Sequence, residues 1–170
     1  MEIRFDYHDG AQGLFRAMAG LEEYLNNCSI EHRLLHLIKL RASQINGCAY
    51  CLDMHWKDLK AIGEDEQRMY ELNAWRESPF YTERERAALE WTESVTCVAT
   101  THVPDDVYER VEKQFSKQEI ADLTGAIATI NAWNRLAIAS RAEPGKYQPT
   151  QVGHQQTKQS QKDQDYKQAS

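Results

Sequence analysis

The sequence predicts an all-α protein, built as a bundle of about six or seven helices. Two observations lead to this prediction. Apolar residues recur at spacings of three and four along most of the chain, which is the period of an amphipathic helix. No segment alternates apolar and polar residues for long enough to form a β-strand. Capping and helix-breaking residues separate the periodic segments and set the expected bounds of each helix.

The first two predicted helices are defined by an apolar face and a turn signal. Residues 11–27 carry one apolar stripe, which consists of Leu14, Ala17, Met18, Leu21, Tyr24 and Leu25. Ser29 is a candidate N-cap of the second helix, because its hydroxyl can accept a hydrogen bond from a free N–H group of the first turn. This helix is expected to reach about residue 43, and Asn46-Gly47 separates it from the next one.

Local start and stop signals delimit the next three helices. The third is expected to start at Cys48 and to end at Gly63, since glycine is favoured just after a helix. Residues 64–74 form the expected fourth helix. The motif Thr82-x-x-Glu85 is a capping box, and it opens a fifth helix over residues 83–98.

Two further helices complete the predicted bundle. Pro104, followed by two aspartates, starts a short helix through residue 114, because proline suits the first turn and the helix dipole stabilises acidic side chains there. The motif Ser116-x-x-Glu119 is a second capping box and opens the longest helix. Asn134 continues the apolar stripe of this helix. A buried asparagine needs partners, so we expect it to form hydrogen bonds across the bundle or between subunits.

The chain divides into two parts of different composition. Residues 1–146 carry the helical signals and form the expected folded domain, with Pro144-Gly145 near its end. Residues 147–170 contain eight glutamines and a single aliphatic residue larger than alanine, Val152. Such a segment buries too little apolar surface to offset the entropy of ordering it. We therefore expect residues 147–170 to be a disordered tail.

Composition and charge argue against several classes of function. The chain has 170 residues, a net charge of −6 and scattered basic residues, which argues against nucleic acid as the main partner. Its apolar runs are too short to span a membrane, and its first residues lack the apolar segment of a secretory signal. We therefore expect a cytoplasmic protein without a membrane or nucleic-acid partner. Such a protein needs no disulfide scaffold, so the close pair among its four cysteines, Cys48 and Cys51, indicates a chemical role rather than a structural one.

The most informative segment lies at the start of the third helix. At about 100° per residue, Cys48, Cys51 and His55 share one helix face. The two sulfurs lie one turn apart, close enough for a CxxC disulfide, and His55 stands one turn further, where it can accept or relay a thiol proton. The helix N-terminus favours a thiolate, and by this argument alone Cys48, nearer the helix start, has the lower pKa. This arrangement is typical of a redox-active dithiol.

Two other interpretations of the pair stay open. The cysteines could be buried packing residues, which is what we expect of the isolated Cys28 and Cys97. Alternatively, zinc could bind Cys48, Cys51 and His55, with His36 as a fourth ligand. A structural zinc site usually pairs its CxxC with a second, distant doublet, and this chain has none. We therefore favour the redox interpretation and expect no bound metal or cofactor.

Residues 37–55, with the sequence LIKLRASQINGCAYCLDMH, closely resemble the core motif of the AhpD-like alkylhydroperoxidases, which belong to the carboxymuconolactone decarboxylase superfamily. Residues 73–77, 82–89 and 130–135 resemble the same subgroup, and the resemblance covers about residues 13–146. It implies an all-helical fold that assembles into homo-oligomers, often trimers or hexamers. It also implies reduction of organic or hydrogen peroxide by the CxxC pair, with electrons from a dithiol such as a lipoyl group.

The resemblance implies a role for each site residue. Cys51 matches the peroxidatic thiolate, Cys48 the resolving thiol, and His55 a member of the proton relay that activates Cys51. His36 stands where the best-known members carry glutamate, and Tyr50 stands where they carry histidine. His36 is therefore either a relay residue or part of a solvated face. Tyr50 is expected to be a packing residue.

The sequence thus predicts a thiol-dependent peroxide reductase that cycles between dithiol and disulfide. One alternative is a redox-sensing oligomer with little turnover. The other is an enzyme like the carboxymuconolactone decarboxylases, against which the CxxC pair counts, because ring opening and decarboxylation need no dithiol.

Overall fold

The computed structural model describes residues 2–149, and within them the chain is all-α, as predicted. No β-strand occurs among these residues, and none of their helices is long and apolar enough to cross a membrane. The helices are α1 (Gln12–Asn26), α2 (His32–Asn46), α3 (Ala49–Ala61), α4 (Glu66–Glu71), α5 (Glu83–Thr96), α6 (Val98–Thr101), α7 (Asp105–Glu112) and α8 (Lys117–Ser140). A 3₁₀ turn, Leu72–Ala74, follows α4. Residues 150–170, which make up most of the expected tail, lie outside the described part of the chain.

Helix α2 is the centre of the bundle and packs against α3, α5 and α8. Eight of its residues are buried: Leu34, Leu35, Leu37, Ile38, Lys39, Leu40, Ala42 and Ser43. Leu37 and Ile38 are fully buried in a core that α5 and α8 complete with Leu89, Leu123 and Ile127. Burial of one such side chain stabilises the fold by about 1.5–3 kcal/mol. Because α2 is held on several sides, its polar side chains are fixed relative to α3 and α8.

Several helix bounds differ from the predicted ones. Helix α2 begins after Glu31, so the prediction that Ser29 caps it is wrong, and it continues to Asn46. The expected fourth helix is divided into α4 and the 3₁₀ turn. The expected fifth helix ends at Thr96, and α6 is a separate short helix that ends in left-handed backbone at His102. Helix α7 also stops two residues before the predicted end.

The helix starts follow the sequence signals more closely. Both predicted capping boxes are present, since Thr82 and Glu85 cap α5, and Ser116 and Glu119 cap α8. Gly47 ends α2 in the left-handed conformation, with φ of +68°. Such backbone strains any residue with a Cβ atom, so glycine is favoured at this turn. The turn leads directly into α3, which packs against α8.

The C-terminal end of the described chain lies against α3. The ammonium group of Lys57 donates to the carbonyl oxygens of Gly145 and Tyr147, at 3.2 and 3.0 Å. Asp53 accepts a hydrogen bond from the backbone N–H of Gly145 at 3.0 Å. The hydroxyl of Tyr147 donates to a carboxylate oxygen of Asp58 at 2.7 Å. Tyr147, the first residue of the expected tail, is therefore packed on the helical domain.

Candidate active site

The two close cysteines lie at the first turn of α3, and each is only 1% exposed. Cys48 is the N-cap residue of α3. Its sulfur accepts a hydrogen bond from the backbone N–H of Cys51 at 3.4 Å. Both cysteines are free thiols. A sulfur at this position faces the unpaired N–H groups of a helix start, which favour negative charge.

The two thiols have opposite tendencies to ionise. Hydrogen bonding from the Cys51 side chain, and then from the Cys51 backbone N–H, lowers the pKa of Cys48 to about 7 in spite of its burial. The pKa of Cys51 is raised, first because its thiol donates its proton in that same hydrogen bond, and then because the thiol is buried. The electrostatics therefore favour Cys48 as the first thiolate. The helix-dipole argument leads to the same result, whereas the resemblance gives the peroxidatic role to Cys51.

Asn134 connects α8 to the end of α2 beside the cysteines. Its side chain is fully buried, accepts from Nδ2 of Asn46 at 2.8 Å and donates to Oγ of Ser43 at 3.1 Å. Its amide also contributes to lowering the pKa of Cys48 by hydrogen bonding. The sequence predicts hydrogen bonds from Asn134 either across the bundle or between subunits, and in the structure they run across the bundle. Asn134 thus ties α8 to α2 directly beside Cys48.

His55 lies one turn beyond Cys51 and is almost completely buried, with 4% of its surface exposed. Burial lowers the pKa of His55, so the imidazole is neutral near pH 7. Its Nδ1 atom lies 3.4 Å from Nδ1 of His36 and 3.7 Å from a carboxylate oxygen of Asp58. Its Nε2 atom is buried and has no hydrogen-bond partner within residues 2–149, so the ring forms no hydrogen bond to Cys51.

The surroundings of His55 favour one tautomer. A buried N–H group without a partner is rarer and costlier than a bare acceptor atom. The proton therefore belongs on Nδ1 of His55, which faces the Asp58 carboxylate. Nε2 is then unprotonated and can accept a proton. This is the condition that a general base has to meet.

His36 lies in this cluster rather than on a solvated face. A quarter of its side chain is exposed, and its Nδ1 atom lies 3.7 Å from Asp58 and 3.4 Å from His55. Burial, and then the neighbouring His55, lower the pKa of His36 to about 3. Two neutral imidazoles therefore face one carboxylate. The sequence left the position of His36 open, because it depends on how α2 packs on α3.

Asp58 is a site residue that the sequence reasoning missed. Burial raises the pKa of its carboxyl, but hydrogen bonds from His55 and Tyr147 outweigh burial, and the pKa is lowered overall. One signal was available, since Asp58 is three residues after His55 and so shares its helix face. Tyr147 gave no such signal, because it is 89 residues away in the chain.

The predicted zinc alternative does not form in this geometry. Among the described residues, the side chains whose donor atoms converge are His36, His55 and Asp58, without either sulfur. The Nδ1 atoms of both histidines face Asp58 rather than the cysteines. The four-residue set of Cys48, Cys51, His55 and His36 therefore offers no shared position for an ion.

Aromatic side chains lie beside the thiols. Tyr7 from the N-terminal segment is 6% exposed, and its ring lies 6.1 Å from that of Trp133. Burial, followed by the nearby Tyr50 and the two cysteines, raises the pKa of Tyr7 to about 12. Tyr50 packs against the same small cluster as the cysteines, as expected. Nothing in the sequence pattern indicated Tyr7, because residues before α1 carry no helical period.

The comparisons with known proteins agree with this fold. Residues 12–94 match the model of the carboxymuconolactone decarboxylase family. The uncharacterized protein YdfG of Bacillus subtilis (strain 168) is 42% identical over 139 residues, which are 82% of this chain and 95% of that protein. A crystal structure of a protein of unknown function from Agrobacterium tumefaciens, considered a candidate antioxidant defence protein AhpD, is 45% identical. It matches with a TM-score of 0.83 over 86% of this chain and 100% of that one.

A more distant structure has the same architecture. An uncharacterized peroxidase-related protein from Silicibacter sp. TM1040 is 23% identical, with a TM-score of 0.70 over 79% of this chain and 72% of that one. At this identity the likeness concerns the fold alone. The two more similar proteins are matched over almost their whole length. The chain therefore belongs to the carboxymuconolactone decarboxylase family as an AhpD-like member.

Proposed function

We propose that the chain is a thiol-dependent hydroperoxide reductase that cycles Cys48 and Cys51 between dithiol and disulfide. One arrangement carries the proposal: two buried thiols lie side by side at a helix start, where the hydrogen bond from Cys51 lowers the pKa of Cys48 to about 7. A structural cysteine pair has no need of a lowered pKa, whereas a nucleophilic thiol does. The neutral His55, with a bare Nε2, supplies a base on the same helix.

The proposed reaction has three steps. A thiolate attacks one oxygen of the peroxide, the O–O bond breaks, and the leaving alkoxide or hydroxide takes up a proton to form alcohol or water. The attacking sulfur is now a sulfenic acid. The second thiol attacks this sulfur and forms the disulfide, and the hydroxide leaves as water with the thiol's proton. An external dithiol, such as a lipoyl group, then returns two electrons and two protons by exchange.

We further propose Cys51 as the peroxidatic sulfur and Cys48 as the resolving one, the roles that the resemblance implies. For Cys51 to attack, its proton has to leave, and His55 is the neutral base one turn along α3. The lowered pKa of Cys48 argues for the opposite order. Single serine variants distinguish the two orders, because only the variant that keeps the attacking sulfur forms a sulfenic acid that dimedone can trap.

The function is tested by adding cumene hydroperoxide to the reduced chain and counting thiols. We expect two thiols to be lost per peroxide, and turnover with dihydrolipoamide. The double variant Cys48→Ser/Cys51→Ser should consume none, while the matched control Cys28→Ser/Cys97→Ser should behave as the wild type. Wild-type consumption by the first double variant would show that the chemistry does not use this pair.

The burial of both thiols supports a second candidate, the redox-sensing oligomer. A cysteine that is 1% exposed is poorly accessible to a bulky reductant, which would slow turnover without preventing one oxidation. Exposed apolar side chains on α1, namely Leu14, Leu21 and Tyr24, support a homo-oligomer, proposed to be a trimer or hexamer. Light scattering of the reduced and oxidised chain distinguishes the candidates. A sensor changes its assembly on oxidation and shows negligible turnover with dihydrolipoamide.

A further inference from the structure

In the cluster of His36, His55 and Asp58, the proposed dithiol reaction gives no role to His36 and does not require three donor atoms to converge. Three potential donor atoms, one from each side chain, lie within 4.8 Å of one another where α2 packs on α3. We propose that this cluster binds a divalent transition-metal ion, with Zn²⁺ as the best match. The proposed site contains neither cysteine.

The distances between the donor atoms fit the proposal. The two Nδ1 atoms are 3.4 Å apart, and each lies 3.7 Å from the same oxygen of Asp58. A triangle with these sides has its centre about 2.1 Å from every corner, which is the length of a Zn–N bond and within the range of Zn–O bonds. An ion would therefore reach all three donors with side-chain movements of only tenths of an ångström.

The chemistry of the donors also fits. Two imidazole nitrogens and one carboxylate oxygen make up a ligand set that zinc accepts with water in its fourth position. A quarter of the His36 side chain is exposed, which leaves an opening on that side. Lys39, whose charge acts on both histidines, has its ammonium 2.6 Å from a carboxylate oxygen of Glu22, which neutralises it. The charge of Asp58 thus remains available to a cation.

Tyr147 supplies the outer support that metal ligands need. Its hydroxyl donates to the second oxygen of Asp58 at 2.7 Å and leaves the first oxygen directed at the histidines. Removing such an outer partner typically weakens metal binding by about 10–100-fold. The variant Tyr147→Phe keeps the ring and removes only the hydroxyl, so it separates this role from packing.

Metal binding would compete with the proposed dithiol reaction, a consequence that depends on the proposed function. A metal on Nδ1 of His55 uses the lone pair of that nitrogen, and the ring proton then moves to Nε2. Nε2 lies buried on the far side of the ring and would no longer accept a proton. Zinc bound at this site would therefore inhibit disulfide formation by removing the base rather than by blocking a sulfur.

The test uses calorimetric titration of Zn²⁺ into the full chain in the background Cys48→Ser/Cys51→Ser, which excludes the thiol pair. We expect one ion per chain, and Co²⁺ should give a spectrum without a thiolate charge-transfer band. Adding His36→Gln or Asp58→Asn should weaken binding by more than Tyr147→Phe does. The exposed His32 on the same helix provides the matched control, and His32→Gln should leave binding unchanged.

Three results would overturn the proposal. These are the absence of saturable binding in the Cys48→Ser/Cys51→Ser background, unchanged binding in Asp58→Asn, and a thiolate band with Co²⁺. Circular dichroism of each variant establishes that it is folded. Because the titration measures binding alone, its outcome is independent of whether the chain reduces peroxides.

Discussion

Replacing Cys51 with alanine tests how the dithiol shares its proton. The side chain of Cys51 is the largest cause of the lowered pKa of Cys48, about 7 against an ordinary value of 9.0. A hydrogen bond to a charged group contributes about 1.5–3 kcal/mol, which corresponds to a pKa change of roughly one to two. In Cys51→Ala the pKa of Cys48 should therefore rise to between about 8 and 9. The backbone N–H of residue 51 remains and keeps part of the effect.

The measurement is a pH titration of the ultraviolet absorbance of thiolate, in a background of Cys28→Ser and Cys97→Ser. At pH 7 the thiolate fraction of Cys48 should fall from about one half to about one tenth or less. Cys48→Ala is the comparison, and the remaining Cys51 should then titrate well above neutral pH, because it stays buried. An unchanged pKa in Cys51→Ala, or a titration near pH 7 in Cys48→Ala, would refute this assignment of the first thiolate.

Three further predictions follow from buried groups near the site. Asn134→Ala should lower the free energy of unfolding, measured in urea, by about 1–3 kcal/mol, because Asn46 and Ser43 each lose a buried partner. The control Arg135→Ala should change this free energy by less than about 0.5 kcal/mol. Folding lowers the pKa of His36 from 6.5 to about 3, so the unfolded chain takes up the proton at a higher pH than the folded chain does. The stability that His36 contributes is therefore complete above about pH 6.5 and is lost as the pH falls towards 3. With a chelator present, His36→Gln should flatten this acid dependence by up to about 1.4 kcal/mol per pH unit, and an equally steep dependence would contradict the assignment. Tyr7→Ala should speed iodoacetamide labelling of Cys48, mapped by mass spectrometry, while an exposed-site control, Phe5→Ala, should not.

The parts of the site that the sequence predicts are those fixed within one helix. Cys48, Cys51 and His55 share a face because α3 has a regular period, and Gly47 sets where that helix begins. Capping boxes act over three residues, so the starts of α5 and α8 were predictable as well. Within such a span, local geometry leaves little freedom.

The residues that the sequence did not supply depend on packing between distant segments. His36 joins the site because α2 packs on α3, and its role was undecidable from its own helix face. Tyr147 reaches Asp58 because Lys57 and Asp53 hold residues 145–147 against α3. These contacts carry no periodic signal. Consequently, the sequence pointed to the two thiols and to His55, the proposed base, but not to the carboxylate that lies beside His55.

The role of that carboxylate is tested by Asp58→Asn. In the wild type, the Asp58 oxygen favours the proton on Nδ1 of His55 and leaves Nε2 as the acceptor. An amide NH₂ in the same place would favour the other tautomer, with the proton on Nε2. Peroxide-driven disulfide formation should then slow by about 10²-fold or more, the contribution of a general base. The assay is single-turnover oxidation with a chelator present.

A merely structural role for Asp58 predicts a different pattern. If Asp58 acts through His55, the double variant Asp58→Asn/His55→Gln should be no slower than His55→Gln alone, because the second change removes a partner that no longer functions. If Asp58 only holds Tyr147 and the C-terminal segment in place, the two effects should multiply, and Tyr147→Phe should slow oxidation as much as Asp58→Asn. The rate of the double variant therefore decides whether Asp58 acts on the dithiol through His55. In that case the sulfurs carry the redox change, and the imidazole of His55 alone transfers the proton.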